Sequence, residues 1–347
     1  MTATATTSRA LPGTDIKLGL TLYSLTNEWV TGQYSLESLI ARVAEAGIGP
    51  GVEVVGFQTI RNYPAVSDDF VRSWRALLDQ YELEPSCLAV NTDVALRRDR
   101  MLTDDEIVDY LARQIETAHR LGFPTVRTQM GGSTAVLEPL LRRVEQYGIK
   151  LGMEIHAPEG PNTPTVMRVR EAYEQIDSPL LGFIPDFSST MRGVPAPEID
   201  YFVRLGLPRA AGDELETIWA ESGNPQERFG RFAELARSKG ASDEALRAVH
   251  TAFSMHGHEP VDSWREIMPQ IVHVHGKFYD INAAGEEPSI DIPAIMRIFV
   301  EAGYAGYFSS EWEGHAFRDV GEVDPIALIQ GQHRLIVSAV RDAVADR

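Results

Sequence analysis

Four apolar stretches of this chain end in side chains that bind cations or move protons. They are K-L-G-M-E-I-H over 150–156, L-L-G-F-I-P-D over 180–186, I-V-H-V-H-G-K over 271–277 and Y-F-S-S-E-W-E over 307–313. In an extended strand successive side chains alternate faces, so Glu154 and His156 are expected to point the same way, as are His273 and His275. Three carboxylates, Glu154, Asp186 and Glu311, with the neutral imidazole of His275 would leave a local charge of about −1 around a divalent cation. The oxygen-rich set suits Mn²⁺ or Mg²⁺, Mn²⁺ before the rest, with Co²⁺ or Zn²⁺ tolerable. His273 is the alternative ligand, because it shares the face of His275.

Around that set stand candidates for proton transfer and substrate contact. His156 can exchange a proton near neutral pH and is the favoured base or acid, against the plainer role of orienting Glu154. Lys277 follows His275 on the same alternation and would steady an oxyanion; Glu313 is a second candidate acid/base. Glu53, in V-E-V-V-G-F, is expected to face inward and pair with Arg127, and Gln129 ends the Arg127 strand. These three, with His273 and His258, are the candidates for substrate contact. His256 and His258 in M-H-G-H-E-P resemble a ligand pair without further ligands nearby, so substrate contact from a lid suits them better. Of the tryptophans, Trp29, Trp219 and Trp264 read as core, while Trp312 stands beside Glu311 with its side chain facing away.

The elements that must carry these residues alternate along the chain. Strands are predicted at 17–22, 52–57, 87–90, 125–129, 150–156, 180–186, 271–275 and 307–311. Helices are predicted between them, among them 35–46 stopped by Gly47, 68–81, one opening at the Thr103-Asp-Asp-Glu106 capping box, and 136–147 after a flexible G-G-S-T. Thr163 is expected to cap the next helix with Pro164 at its first position, and Asp324 to cap the last. Eight such units imply a (β/α)8 TIM barrel, in which the C-terminal strand ends surround one mouth, so Glu154, Asp186, His275 and Glu311 converge there. The stretch from Asp186 to His275 is more than twice as long as its neighbours. Its excess, about 194–260, is expected to be a long helical insertion between strands 6 and 7, serving as lid, substrate wall or partner surface. Residues 1–15 read as a disordered tail before one barrel domain, 16–347.

Composition narrows the function. The 347 residues carry 50 acidic and 32 basic side chains, a formal net charge of −18, which opposes nucleic acid. No run is apolar enough for a signal peptide or a membrane span. The one cysteine, Cys87, forbids an internal disulfide and suits a cytoplasmic protein.

The motifs Glu154-Ile-His156, the Asp186 strand end, His273-Val-His275-Gly-Lys277 and Ser310-Glu311-Trp-Glu313 resemble, in order, those of the xylose isomerase-like sugar phosphate isomerase/epimerase superfamily. That resemblance implies a metal held by Glu154, Asp186, His275 and Glu311. Ser189 departs from it, since members commonly carry a histidine three residues after the strand-six aspartate. The long insertion, with Q-M-G-G-S-T and M-E-I-H-A-P, resembles the alpha subunit of bacterial C-glycoside deglycosidases, which implies a small beta subunit in a hetero-oligomer. The chemistry so implied is removal of the C2 proton of a 3-oxo C-glucoside, an enediolate, and β-elimination of the aglycone. A ketose or inosose isomerase, epimerase or dehydratase would share the first step. A three-zinc endonuclease fits badly with the acidic surface, and a sugar-binding subunit with a structural metal is the non-enzymatic alternative.

Overall fold

The computed structural model describes residues 9–129 and 134–347. Eight strands form one parallel sheet: β1 (Asp15–Thr21), β2 (Gly51–Val55), β3 (Glu84–Ala89), β4 (Thr125–Thr128), β5 (Lys150–Ile155), β6 (Leu181–Pro185), β7 (Val274–Phe278) and β8 (Ala305–Trp312). Paired neighbours run β6-β5-β4-β3-β2-β1-β8-β7, and isolated parallel bridges Phe183↔Ile271 and Asp186↔His275 bring the two ends together, so the ribbon is a nearly closed barrel. The strands are buried on both faces, because each lies between the barrel interior and the outer helices. This explains the continuous apolar runs in the sequence.

The helices obey the sequence signals closely. Asp68–Tyr81 opens on the Ser67 hydroxyl, and Asp104–Leu121 has both halves of the Thr103/Glu106 capping box and ends at Gly122 with φ +88, a left-handed cap that glycine adopts without Cβ strain. Asp324 Oδ1 accepts from Ile326 N at the start of Pro325–Ala345. Thr163 departs from expectation. Its hydroxyl turns back to Glu159 and the Gly160 carbonyl, so Pro164–Ile176 starts without a side-chain cap.

Three further differences matter. Residues 9–14, expected in a disordered tail, are tied down by an Ala10↔Lys17 bridge and an Arg9–Glu84 ion pair at 3.5 Å; residues 1–8 lie outside the described residues. The G-G-S-T segment likewise falls largely on residues 130–133, outside them. The seventh strand begins at Val274 rather than 271, because Val261–Gln270 is a 3-10 helix that runs almost up to it. His275, Gly276 and Lys277 therefore lie inside the strand. Gly276 is required there, since a Cβ would strike the Phe308 ring.

Between β6 and β7 the chain forms helices Ala196–Arg204, Gly212–Trp219, Pro225–Ser238 and Asp243–Ser254, whose buried side chains, including Phe202, Leu215, Trp219, Phe232 and Phe253, extend the continuous apolar core of the barrel. Its end is stitched to the segment after β6 by Gly257 N to Ser188 O at 2.7 Å and by a Thr190↔His258 bridge. Phe187, immediately after Asp186, packs on Phe308 with ring centroids 5.6 Å apart and edge-on to Trp264 at 6.0 Å. Burying one such phenyl stabilises the fold by about 1.5–3 kcal/mol and fixes the backbone that carries Asp186.

Candidate metal centre at the barrel mouth

Glu154, Asp186, His275 and Glu311 converge from β5, β6, β7 and β8, each offering one ligand atom, all within 4.8 Å of one another and all buried. His275 Nδ1 lies 2.7 Å from Glu154 Oε1 and 3.2 Å from Glu311 Oε2. Lys277 Nζ stands 3.1 Å from Asp186 Oδ2 and 3.7 Å from Glu311 Oε2, while its short bond of 2.6 Å goes to Glu313 Oε2. Despite these neighbours, Asp186 Oδ2 and Glu311 Oε2 are buried with no hydrogen bond, the cost of a polar atom taken from water without a partner. Burial, with the adjoining Asp186 and Glu154 carboxylates, pushes the Glu311 carboxyl up to about 8 against the pull of Lys277 and His275. Three carboxylates too crowded to ionise together, with two orphaned oxygens and an imidazole nitrogen facing them, form a donor set that fits a divalent cation.

Above the cluster opens a cavity of about 780 Å³, whose walls include His156, Gln129, Arg127, Lys277 and Glu313. His156 follows β5 directly, half-buried, with Nδ1 2.7 Å from the Ala157 carbonyl; when Nδ1–H donates to that carbonyl, the Nε2 lone pair is free to accept a proton. Glu313 accepts from Lys277 and, at 2.9 Å, from the Tyr23 hydroxyl. Although burial works against ionisation, the Lys277 ammonium holds the Glu313 carboxyl below its ordinary value. Burial likewise acts against the Lys277 charge, and Asp186, Glu311 and Glu313 more than offset it.

Arg127 does not pair with Glu53. Both Glu53 oxygens are occupied from across the barrel, by His273 Nε2 and His275 Nε2 at 2.8 Å each, and Arg127 Nη1 instead lies 3.6 Å from Glu154 Oε2 on the neighbouring strand. Glu154, though buried, is held below the usual carboxylate range by Arg127 and His275. His273 belongs to the layer beneath the cavity with Glu53. His258 is outside the cavity lining; its ring meets Trp219 edge-on within the insertion, with centroids 5.2 Å apart. His256 is buried against Glu198 Oε2 at 2.5 Å, and its neighbour Met255 is the insertion's contribution to the mouth. Ser189, where a histidine is common in the resembling superfamily, donates to the Glu159 carbonyl at 2.7 Å. No tryptophan lines the cavity among the described residues; Trp312 turns away and donates to Tyr279 O.

Tyr23 was not singled out by its sequence. It sits just beyond β1, in the same strand-end position as the other mouth residues, and that position is the signal that marks it.

Residues 40–336 match the model of the xylose isomerase-like TIM barrel family. The chain is 46% identical to a C-glycoside deglycosidase alpha subunit of Arthrobacter globiformis over 97% of this chain and 96% of that one. It is 38% identical to a 3'-dehydrocarminate deglycosidase alpha subunit of Microbacterium sp, over 95% of this chain and 96% of that one. In three dimensions it resembles a sugar phosphate isomerase/epimerase from Parabacteroides distasonis, with a TM-score of 0.54 at 14% identity, covering 98% and 99% of the two chains, a likeness of fold.

Proposed function

This chain belongs to the xylose isomerase-like TIM barrel family, and we propose that within it the protein cleaves the carbon–carbon glycosidic bond of oxidised, 3-oxo C-glycosides by β-elimination. The observation that carries the reading is the buried set Glu154, Asp186, His275 and Glu311 at the foot of a cavity that also holds a free imidazole nitrogen. Those four residues would hold a divalent cation, Mn²⁺ in the first instance, which would supply Lewis-acid chemistry: acidification of the C–H beside a ketone and stabilisation of the charge that develops on oxygen.

The remaining steps fall to the chain's own groups. His156 Nε2 takes the C2 proton, while its Nδ1–H donates to the Ala157 carbonyl, which fixes the ring. The electron pair released becomes an enediolate across C2 and C3, and its collapse expels the aglycone from C1, β to the ketone. Lys277, already cationic beside Asp186 and Glu313, faces the oxygens that carry the charge. The proton that His156 has taken from C2 is the one returned to the departing aglycone, while Glu313, ionised and accepting from Tyr23 and Lys277, holds both of those donors in place on the leaving side. No water enters the bond-breaking step.

The curated relatives are named alpha subunits, which supports a small beta subunit as partner in a hetero-oligomer. The one cysteine supports a cytoplasmic site of action, and no described helix is long and apolar enough to cross a membrane. The test is direct. Purified chain, its beta subunit and Mn²⁺ are incubated with a 3-oxo C-glucoside, and aglycone release is expected. An intact glycoside alongside interconversion of free ketoses would establish an epimerase instead.

A further inference from the structure

Beneath the mouth lies a second buried cluster that shares His275 with the first and adds Glu53 and His273, two residues that the proposed chemistry does not use. Glu53 rises from β2 with no solvent exposure, and its two oxygens reach across the lumen to His273 Nε2 and His275 Nε2, at 2.8 Å each. His275 is thus held at both ring nitrogens: Nε2 points down at Glu53, Nδ1 points up at Glu154 and Glu311. None of Glu53, His273 and His275 lines the cavity, and both Glu53 oxygens already lie at hydrogen-bond distance from nitrogen. The cluster is therefore packed as a hydrogen-bonded unit, although its three donors would suit an ion by type.

We propose that Glu53, anchored by His273, is a positioning residue that fixes the ring and the Nε2–H tautomer of His275, so that Nδ1 is presented as a ligand lone pair. The inference rests on the metal reading above. A carboxylate accepting the distal N–H of a ligating histidine orients the ring and makes the other nitrogen a stronger donor, and its loss typically costs about 10- to 100-fold in metal affinity. His273 acts one step further out, by holding the second oxygen so that the carboxylate cannot rotate away from His275.

The test measures metal binding without substrate. Glu53→Gln offers one carbonyl oxygen and one NH₂ to two N–H donors, so one histidine must lose its bond. Titration of Mn²⁺ into the metal-free protein is expected to show binding weakened by about 10- to 100-fold, with a shifted visible absorption spectrum of the Co²⁺ form; His273→Gln is expected to move both readouts in the same direction and less. Mn²⁺ affinity within about twofold of the parent and an unchanged Co²⁺ spectrum would overturn the inference. So would a second Mn²⁺ per chain that Glu53→Gln alone abolishes, since the cluster would then itself be a metal site. If Glu53→Gln does not fold, ¹⁵N-histidine spectra of the Zn²⁺-loaded parent decide the matter: a ligand histidine protonated at Nε2 supports the assignment, and one protonated at Nδ1 refutes it. A parent protein that takes up no divalent cation would overturn the metal reading itself, a result distinct from all of these.

Discussion

Two regions of this molecule bury a carboxylate against a histidine, and they do it in opposite ways. In the insertion, Glu198 has both oxygens satisfied, Oε2 by His256 at 2.5 Å and Oε1 by the Thr251 hydroxyl at 2.9 Å, and Tyr279 closes over the ring at 5.5 Å. At the mouth, Glu154, Asp186 and Glu311 crowd one imidazole and one ammonium, and two of their oxygens go without a hydrogen bond. A fully satisfied buried network fixes a packing arrangement; an under-satisfied one of the same residue types is held in place by its surroundings and awaits a ligand. The insertion's pair therefore reads as a clamp that holds Met255 at the rim, and the barrel's set as a site.

Substitutions can separate the two. The largest effect is expected from Glu154→Ala, which should abolish tight metal binding and lower turnover by about 10³-fold or more, seen in metal content and aglycone release. His156→Ala should lower turnover by about 10²- to 10⁴-fold while the bound metal stays, because it removes the proposed base and none of the proposed ligands. Unchanged turnover there would take His156 out of the chemistry. Glu198→Ala should do the reverse of Glu154→Ala. Urea denaturation should show a loss of about 3–5 kcal/mol, since His256 is left buried and unpaired, with Mn²⁺ affinity untouched. If it weakened the metal instead, the division between clamp and site would fail.

A pH comparison sharpens the same contrast. Glu311 in the metal-free protein is pushed up to about 8 from an ordinary 4.5. A raised acid contributes stability that is whole below its ordinary value and is lost as pH rises through the folded one. Glu311→Gln keeps the neutral form at every pH. In chelator, the parent should match the variant near pH 4, fall progressively below it as pH rises from about 4.5 towards 8, and be the less stable of the two by its full margin at pH 9, where added Mn²⁺ should rescue the parent alone. The smallest effect is expected from His258→Ala: KM unchanged within about twofold, and a stability loss of about 1 kcal/mol from its packing on Trp219.

Much of the barrel could be read from the chain because each strand is a short apolar run bounded by turn signals, and because parallel strands align their C-terminal ends whatever their sequences. Glu154, Asp186, His275 and Glu311 were legible for that reason alone. What was not legible was pairing across the lumen. Alternation gives the face of Glu53 and of Arg127 but not which strand stands opposite, so the Glu53 partners His273 and His275 on β7 were missed and Arg127 was assigned the wrong carboxylate. Tyr23 was missed because a tyrosine at a strand end has the same local signature as a core residue. His258 was misplaced because its motif tells nothing of how the insertion folds back on itself, and there its ring finds Trp219.

The seam between β6 and β7 carries a mechanical implication. Every other neighbouring pair of strands shares a hydrogen-bonded ladder, whereas these two touch through the bridges Phe183↔Ile271 and Asp186↔His275. The second bridge joins two of the four residues that face the metal position. An ion gripped by both would act as the clasp of a bracelet, resisting the hoop strain that otherwise falls on a few backbone contacts at the point where the insertion leaves and re-enters. If an ion binds there, amide exchange in β6 and β7 should quicken on chelation while β1 and β8 stay slow, and the barrel's roundness would become a property that the ion helps to maintain.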